Sequence, residues 1–502
     1  MSGKLWRNFI YEERKIMEFV KKNIFYIILG IIFFIGFVLR LKGFAANPSL
    51  WLDESALGWN ILNKDYLMLF HKLRFLQLAP PLFLVFTKFL VFLTDGYNHV
   101  FRCDMVLRTI PFLCGNVAMW FFYLVCRQVI NSKYAVLAGV LLFALNPVLI
   151  NYSYEFKPYS VDVLCTLIAF YIFLKINFKT VSLQKIFKYG VILAILPWFS
   201  FASAFAIFAG FLTLSFKKEN PAMFTSLLMP VFVSFFAYLN IFIVNAYAQN
   251  SAGMINYWQQ QFVSADFSNI VRLHNENLHY FFTNIPYLSF GLLTVFAFCG
   301  LFLLLKNNKF SYVLMSMLTL STLIVASVMK YYPFSRRMVI FLIPLFLIYV
   351  IKIIDTKKIV IGWILISFVI IPHLIFAFNF LSLKNLNKGD FARDMINRMA
   401  EDILPNEIII LNGASNADFY YYNSFYKLKN HVIYLKPKTE NPLEIQQMLN
   451  SLKKGSYWLF LPYDYDNRHV NINNIVEWAY RHSKIRYEAH AIQSKLIRIT
   501  IY

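Results

Sequence analysis

Long apolar runs recur through the first three quarters of this chain and constrain its fold more than any other feature. The run from about Ile24 to Gly43 is typical of them. A stretch of about 18 or more apolar residues predicts a helix that crosses a lipid bilayer. Only 15% of the 502 residues are charged, against about 25% in an average soluble domain. The sequence therefore predicts a polytopic α-helical membrane protein.

The net charge of +22 would suggest nucleic-acid binding in a soluble protein. Here most Lys and Arg residues flank apolar runs, as the positive-inside rule expects for cytoplasmic loops. We therefore exclude nucleic acid as a partner and name the lipid bilayer instead. The five cysteines lie in or near apolar segments, which favours a packing role for them.

The charge pattern also orients the chain. The basic residues before Ile24 predict a cytoplasmic N-terminus, so the first span leads outward to a first outer loop over about 45–100. The run Pro80–Leu93 is short and contains Lys88, so we interpret it as a helix lying at the outer interface, with another over 54–70. We predict one span over Ala135–Ile150 and about eleven spans in total, with the C-terminus outside.

The apolar run from Ile186 to Phe216 is too long for one span, because a single helix would be roughly 46 Å long and the hydrocarbon core is about 30 Å thick. We expect two short helices that turn near Pro197 to Ala202. This turn returns Lys217 and Lys218 to the cytoplasmic side.

The composition changes at Lys384. Short runs with strand character, such as "EIIILN" and "SYWLFLP", alternate with runs of helical spacing, such as "NPLEIQQMLNSLKK". This alternation predicts a small α/β domain. We therefore divide the chain into a transmembrane domain over 1–383 and an extracytoplasmic α/β domain over 384–502.

Two acidic segments follow predicted spans on the outer side. Asp53 and Glu54 come directly after the first span, and Glu155 stands two residues before Lys157 in a second outer loop. Asp53 as the N-cap of a helix and a Glu155–Lys157 pair that neutralises itself are the simpler interpretations. Carboxylates at membrane depth are nevertheless costly and usually functional.

Several cations also lie on the predicted outer side, where the positive-inside rule does not expect them. Such residues can cover lipid with their aliphatic stems, or they can bind a phosphate group. They are Arg102, Arg108, Lys157, Lys330, Arg336 and Arg337.

The segments "LWLDESALGWNIL", "QLAPPLF", "LRTIP" and "YSYEFKPYSVDV" resemble the GT-C glycosyltransferases. The closest resemblance is to the bacterial branch related to protein O-mannosyltransferases and the aminoarabinose transferase of lipid A. It is strongest over 45–175. Many relatives carry His before the Pro-Pro dipeptide, whereas this chain has Gln77 and Ala79.

The resemblance implies an enzyme with a GT-C fold that transfers a monosaccharide from a polyprenyl-phosphate donor to a hydroxyl group. The acceptor would be an envelope glycan, glycolipid or protein on the outer face of a bacterial inner membrane. The implied catalytic acids are Asp53, Glu54 and Glu155. The implied donor-phosphate contacts are Lys157, Arg108, Arg102, Arg336 and Arg337, and the implied cavity residues are Tyr159, Gln77 and Trp51.

Two further expectations concern cofactors and class. We expect no cofactor, although His274, Glu276 and His279 in "RLHNENLH" leave a divalent metal open. The alternative function is a transporter or flippase for lipid-linked sugars. Such a protein should carry ionisable residues deep within its spans.

Overall fold

The computed structural model divides the chain into two compact units, each described separately below. One unit comprises Met1–Phe44 and Ile110–Leu383, and the other comprises Ala45–Thr109 and Lys384–Tyr502. The domain boundary expected at 383/384 stays a prediction. The residues that the structure describes are 2–216, 221–249, 252–282, 290–355, 359–383, 391–412, 416–435, 443–462, 472–491 and 494–502.

Helices dominate the described residues. They are α1 Ser2–Ala46, α2 Leu52–Asn63, α3 Pro81–Leu93, α4 Val100–Leu107, α5 Thr109–Val129, α6 Lys133–Leu145, α7 Pro147–Asn151, α8 Tyr159–Lys175, α9 Leu183–Phe199, α10 Ser203–Ser215, α11 Pro221–Gln249, α12 Ala252–Trp258, α13 Phe267–Phe281, α14 Phe290–Lys306, α15 Phe310–Val328, α16 Ile343–Ile351, α17 Ile359–Ser382, α18 Ala392–Asp402, α19 Asn416–Tyr426, α20 Leu443–Asn450 and α21 Ile472–His482. The strands are β1 Ile408–Asn412, β2 Val432–Leu435, β3 Gly455–Leu461, β4 Lys484–Ala491 and β5 Ser494–Ile501.

Six helical segments among the described residues are long and apolar enough to cross a bilayer, and this supports a membrane protein. The eleven predicted spans are not confirmed, because other apolar helices are shorter or bent. The six are Asn23–Ala46, Val100–Val129, Pro221–Leu239, Phe310–Val328, Arg336–Ile354 and Gly362–Ser382.

The span predicted over Ala135–Ile150 is not one straight helix. Its two parts, Lys133–Leu145 and Pro147–Tyr154, meet at an angle of 54°. Pro147 lacks the N–H group that would continue the helix, and the Asn146 side chain caps the new helix by accepting from the Leu149 N–H at 3.0 Å. The sequence signal for this bend is the Asn-Pro dipeptide, which the hydropathy argument overlooked.

The break predicted within Ile186–Phe216 is confirmed. Helix α9 ends at Phe199 and α10 begins at Ser203. The Ser200 hydroxyl accepts from the Ser203 N–H at 3.1 Å, so a side chain satisfies a backbone group at the start of the second helix. Lys217 and Lys218 lie outside the described residues.

Two helices, α2 and α3, lie within residues 45–100, where two were expected. Helix α3 matches the predicted Pro80–Leu93 helix, whereas the helix expected over 54–70 ends at Asn63 and is followed by a short 3-10 turn. Lys88 is buried, and its ammonium group donates to the Ile61 carbonyl at 2.7 Å and to the Tyr97 hydroxyl at 2.9 Å. This lysine therefore joins α2 to α3.

The C-terminal residues form a five-stranded sheet with the order β2-β1-β3-β5-β4. Strand β1 pairs in parallel with β2 and β3, and β5 pairs antiparallel with β3 and β4. Buried Trp458 on β3 donates to Glu407 at 2.9 Å, and Arg498 on β5 also donates to Glu407 at 2.8 Å. The predicted α/β domain is present, and α18, α19 and β4 add to it.

Candidate functional site

The acid pair lies in the first turn of α2. This helix begins at Leu52, and the Trp51 N–H donates to Glu54 Oε2 at 3.3 Å. Asp53 is therefore inside the helix and is not its N-cap. Two carboxylates in a first turn are favoured by the positive end of the helix dipole.

The two acids differ in burial. Glu54 is 2% exposed, whereas Asp53 is half-buried. Arg108 binds Glu54 in a bidentate pair, with Nε to Oε1 at 2.9 Å and Nη2 to Oε2 at 2.7 Å. A fork of this kind uses both carboxylate oxygens. Glu54 is thus fixed in place, and Asp53 is the acid that retains exposed surface.

Arg108 makes further contacts beside its pair with Glu54, and its assignment to a donor phosphate stays a prediction. Its Nη1 donates to the Pro48 carbonyl at 2.6 Å and to Asn47 Oδ1 at 3.3 Å, and Nη2 also reaches the Ser49 carbonyl at 3.4 Å. The side chain is only 1% exposed. Arg108 therefore connects Glu54 to the segment before α2.

Arg102 and Gln77 are the other predicted site residues that lie between α2 and Arg108. Arg102 is exposed on α4 and donates to the Thr94 carbonyl at 3.1 Å. Gln77 is half-buried and donates to the Phe75 carbonyl at 3.3 Å. Phe75 and Leu76 both have positive φ angles, of 60° and 52°. Strained backbone of this kind is concentrated at functional sites.

The second acidic loop belongs to the other unit. Glu155 and Lys157 are 5% and 6% exposed. The Lys157 N–H donates to the Glu155 carbonyl at 2.7 Å, so the chain turns tightly at Phe156 before α8 starts at Tyr159. A buried acid and a buried base lie two residues apart in one tight turn.

Tyr152 lies at the centre of the groups near this turn. Its ring packs edge-on against Tyr159 with 4.9 Å between centroids, and its hydroxyl is hydrogen-bonded to Tyr280. The charges of Glu155 and Arg337 both act on the Tyr152 hydroxyl. Tyr152 therefore contacts Tyr159 and Tyr280, and Glu155 and Arg337 act on its hydroxyl through their charges.

Arg336 and Arg337 differ in exposure and in their contacts. Arg336 is exposed and has a φ of 49°, and its backbone N–H donates to Asn277 Oδ1 at 2.6 Å. Arg337 is half-buried, with its guanidinium 6.0 Å from the ring centroid of Trp258. Of the two, Arg337 is the residue whose charge acts on the Tyr152 hydroxyl.

Arg40 and Asp162 are among the buried ionisable residues in apolar helices that were not predicted from the sequence. Arg40 on α1 is 0% exposed, and its Nη1 donates to the Gly36 and Ala144 carbonyls at 3.0 and 3.1 Å. Asp162 on α8 is 6% exposed and accepts from the Ser200 hydroxyl at 2.6 Å. Arg40 and Asp162 stand near the ends of apolar runs, where charged residues usually flank a membrane span. Only their burial in the structure distinguishes them from such flanking residues.

The described residues contain no group of three or more His, Cys, Asp or Glu side chains that could hold a metal ion. Glu276, in the segment that left a metal open, is paired with Arg272 at 2.7 Å on the amphipathic helix α13.

No family model and no curated protein matches this chain, but solved structures do. ArnT from Cupriavidus metallidurans bound to undecaprenyl phosphate aligns with a TM-score of 0.56 and 11% identity, over 94% of this chain and 97% of its own. Its apo form gives a TM-score of 0.55 and 10% identity, over 95% and 98%.

A second solved protein shows the same likeness. The apo oligosaccharyltransferase from Archaeoglobus fulgidus aligns with a TM-score of 0.53 and 13% identity, over 87% of this chain and 70% of its own. Both proteins are glycosyltransferases of the GT-C superfamily. The chain therefore has the GT-C fold, and the predicted resemblance is confirmed at the level of the fold.

Proposed function

We propose that this protein is a glycosyltransferase that moves one monosaccharide, a hexose or a pentose, from a polyprenyl-phosphate donor to a hydroxyl group. The observation that carries the proposal is the acid pair of α2, in which Arg108 fixes Glu54 and Asp53 keeps exposed surface. The fold supports it, because ArnT, which shares that fold, was solved with undecaprenyl phosphate bound.

In the proposed reaction, Asp53 accepts the proton of the acceptor hydroxyl. The acceptor oxygen forms a bond to the anomeric carbon while the bond from that carbon to the phosphate oxygen breaks, and the configuration inverts. Lys157, Arg337 and Arg102 stabilise the charge on the departing polyprenyl phosphate. Glu155, which lies two residues before Lys157, is a further catalytic acid in this proposal.

The acceptor in this proposal is an envelope glycan, glycolipid or protein on the outer face of a bacterial inner membrane. The test is transfer by purified protein in detergent, with mass spectrometry of envelope glycans from a deletion strain to identify sugar and acceptor. We expect Asp53→Asn to insert normally and to lower kcat roughly 10²–10⁴-fold, the usual contribution of a general base.

The matched control is Asp65→Asn, which removes an exposed carboxylate from the same loop and should leave transfer unchanged. Full activity of Asp53→Asn would remove that residue from the chemistry.

We also propose that the reaction needs no metal cofactor, because side-chain cations supply the positive charge that the phosphate requires. Transfer should persist in excess EDTA, measured with protein purified without added metal. Loss of transfer that Mg²⁺ or Mn²⁺ restores would contradict this part of the proposal.

A transporter of lipid-linked sugars is the second candidate. The observation that favours it is the complete burial of Arg40 and His373 within apolar helices α1 and α17, because ionisable residues inside the membrane often mark transport pathways. Transport requires a sealed bilayer, whereas transfer does not. Turnover of donor and acceptor in detergent would therefore favour the enzyme.

A further inference from the structure

The segment immediately before the acid pair is held by residues from the C-terminal part of the chain. Asn47 has a positive φ of 40°, a conformation that non-glycine residues rarely adopt without support. Arg393 on α18 donates from Nη2 to the Asn47 carbonyl at 2.9 Å, and its backbone N–H donates to the Ser49 hydroxyl at 3.1 Å. One residue on α18 thus holds two residues of this segment.

Tyr422 on α19 also contacts Ser49 and holds the next residue, Leu50. Its hydroxyl accepts from the Leu50 N–H at 2.8 Å and lies 3.2 Å from the Ser49 hydroxyl. The same hydroxyl donates to Asp104 Oδ2 at 3.2 Å. Because Tyr422 has one proton to give and Asp104 takes it, Ser49 is the donor in their contact.

Asp104 joins these contacts into one network. It is 0% exposed, and Arg393 Nη1 lies 2.8 Å from Oδ2 while the Tyr421 hydroxyl donates to Oδ1 at 2.8 Å. A buried carboxylate is tolerated only when it is paired and fully hydrogen-bonded. Burial, together with the nearby charge of Asp104, raises the pKa of Tyr422 well above its ordinary value, so this hydroxyl stays protonated and continues to donate.

We propose that Arg393 and Tyr422 are positioning residues, which fix residues 47–50 and thereby set the orientation of Asp53 at the start of α2. The C-terminal domain would then be part of the catalytic apparatus through the backbone that it holds, without touching substrate. This proposal rests on the proposed function, because it gives Asp53 the chemical role.

The network explains why this segment needs support from elsewhere in the sequence. Residues 47–50 lie between two helices and contain Pro48, which has no N–H to donate. Arg393, Tyr422 and Arg108 bind the carbonyl or N–H groups of all four residues. Removing one contact frees a short segment that leads directly into the first turn of α2.

The test compares Tyr422→Phe and Arg393→Gln with Arg498→Gln in the full-length protein. Tyr422→Phe removes one hydroxyl and keeps the ring. Arg498→Gln breaks an ion pair with buried Glu407 in the same unit, so it controls for loss of stability alone. We expect kcat to fall about 10–100-fold in the first two variants, the cost of a misplacement of about 1 Å, with the donor KM unchanged.

Two further readouts separate positioning from folding. Hydrogen exchange of residues 47–54 should quicken in Tyr422→Phe and Arg393→Gln but not in Arg498→Gln. The double variant Asp53→Asn with Arg393→Gln should be no slower than Asp53→Asn alone, because residues that act as a unit are not additive. Arg393→Lys should recover part of kcat, since it keeps the charge but not the fork.

Unchanged kcat and unchanged exchange in Tyr422→Phe and Arg393→Gln would overturn the proposal. Additive losses in the double variant would also overturn it, as would kcat losses that follow thermal stability and recur in Arg498→Gln. These results differ from failure of the proposed function, which would appear as absence of transfer by the wild-type protein.

Discussion

At the scale of single residues, the neighbouring acids Asp53 and Glu54 differ in burial, a difference that their sequence alone does not reveal. Glu54 is sequestered by Arg108, and Asp53 remains half-buried one residue earlier. The pair can be recognised from the sequence, because two carboxylates beside an apolar run are unusual. Its partner cannot, because Arg108 is distant in sequence and its guanidinium direction depends on how α4 ends.

Arg108→Met tests the structural role assigned to Arg108. The change leaves Glu54 buried without its cation, and breaking a buried ion pair in this way costs about 3–5 kcal/mol. The thermal unfolding midpoint in detergent should therefore fall by several degrees. The matched control is Arg102→Met, which changes an exposed arginine on α4, the helix that ends just before Arg108. This change should leave the midpoint within experimental error. Equal midpoints for both variants would show that the Glu54–Arg108 pair contributes little.

At the scale of elements, hydropathy located most helices but only one of the two breaks described above. The interruption between α9 and α10 follows from length alone, because roughly 46 Å of helix does not fit a core of about 30 Å. The 54° bend before α7 depends on Asn146 and Pro147, whose effect hydropathy does not report. Helix α18 was not predicted although its buried apolar residues Ala392, Met395, Ile396 and Met399 have helical spacing. In α19, consecutive aromatic residues obscure any such spacing.

The contact between α1 and the second acidic loop gives a prediction at this scale. A Cβ atom added to Gly43 would overlap the ring of Tyr154, one residue before Glu155. Gly43→Ala should therefore displace this loop, lower stability by about 1–3 kcal/mol as overpacking does, and reduce transfer. Thermal unfolding and kcat measure the two effects.

Gly30→Ala is the control on the same helix, because nothing lies within 4 Å of a Cβ at that position. It should be neutral or slightly stabilising, since alanine favours a helix by up to about 1 kcal/mol over glycine. In a Tyr154→Ala background, Gly43→Ala should cost less stability than it does in the wild-type protein, because the ring that the new Cβ would meet is absent. If Gly43→Ala behaves like Gly30→Ala, then the loop is not held by this contact.

At the scale of the whole molecule, the structure groups Ala45–Thr109 with Lys384–Tyr502 in one compact unit. The sequence predicted helices over about 45–100 and a C-terminal α/β domain as separate features, and the structure contains both. Their association depends on Asp104, Arg393 and Tyr422, three residues far apart in the chain that no local pattern connects. Non-local contacts of this kind are the part of the candidate site that could not be predicted from the sequence.

Orientation in the membrane is the last prediction, and it follows from the distribution of Lys and Arg. We expect the loop between α14 and α15 to face the cytoplasm and the C-terminal domain to face outward. Asn307→Cys and Ser451→Cys place single exposed thiols on these two parts, in a Cys299→Ser background that removes the exposed native cysteine. A membrane-impermeant maleimide should label only Ser451→Cys in right-side-out vesicles and both variants after detergent is added.

The reverse labelling pattern would show that the chain has the opposite orientation, with Asp53 on the cytoplasmic side. Labelling of both positions in sealed vesicles would mean that an even number of crossings separates them. Because an acceptor in the envelope is reached only from the outside, the reverse pattern would also require a different acceptor in the proposed reaction, whereas labelling of both positions would change only the predicted number of spans between them. The labelling experiment therefore tests the topology and the acceptor class together, without depending on activity.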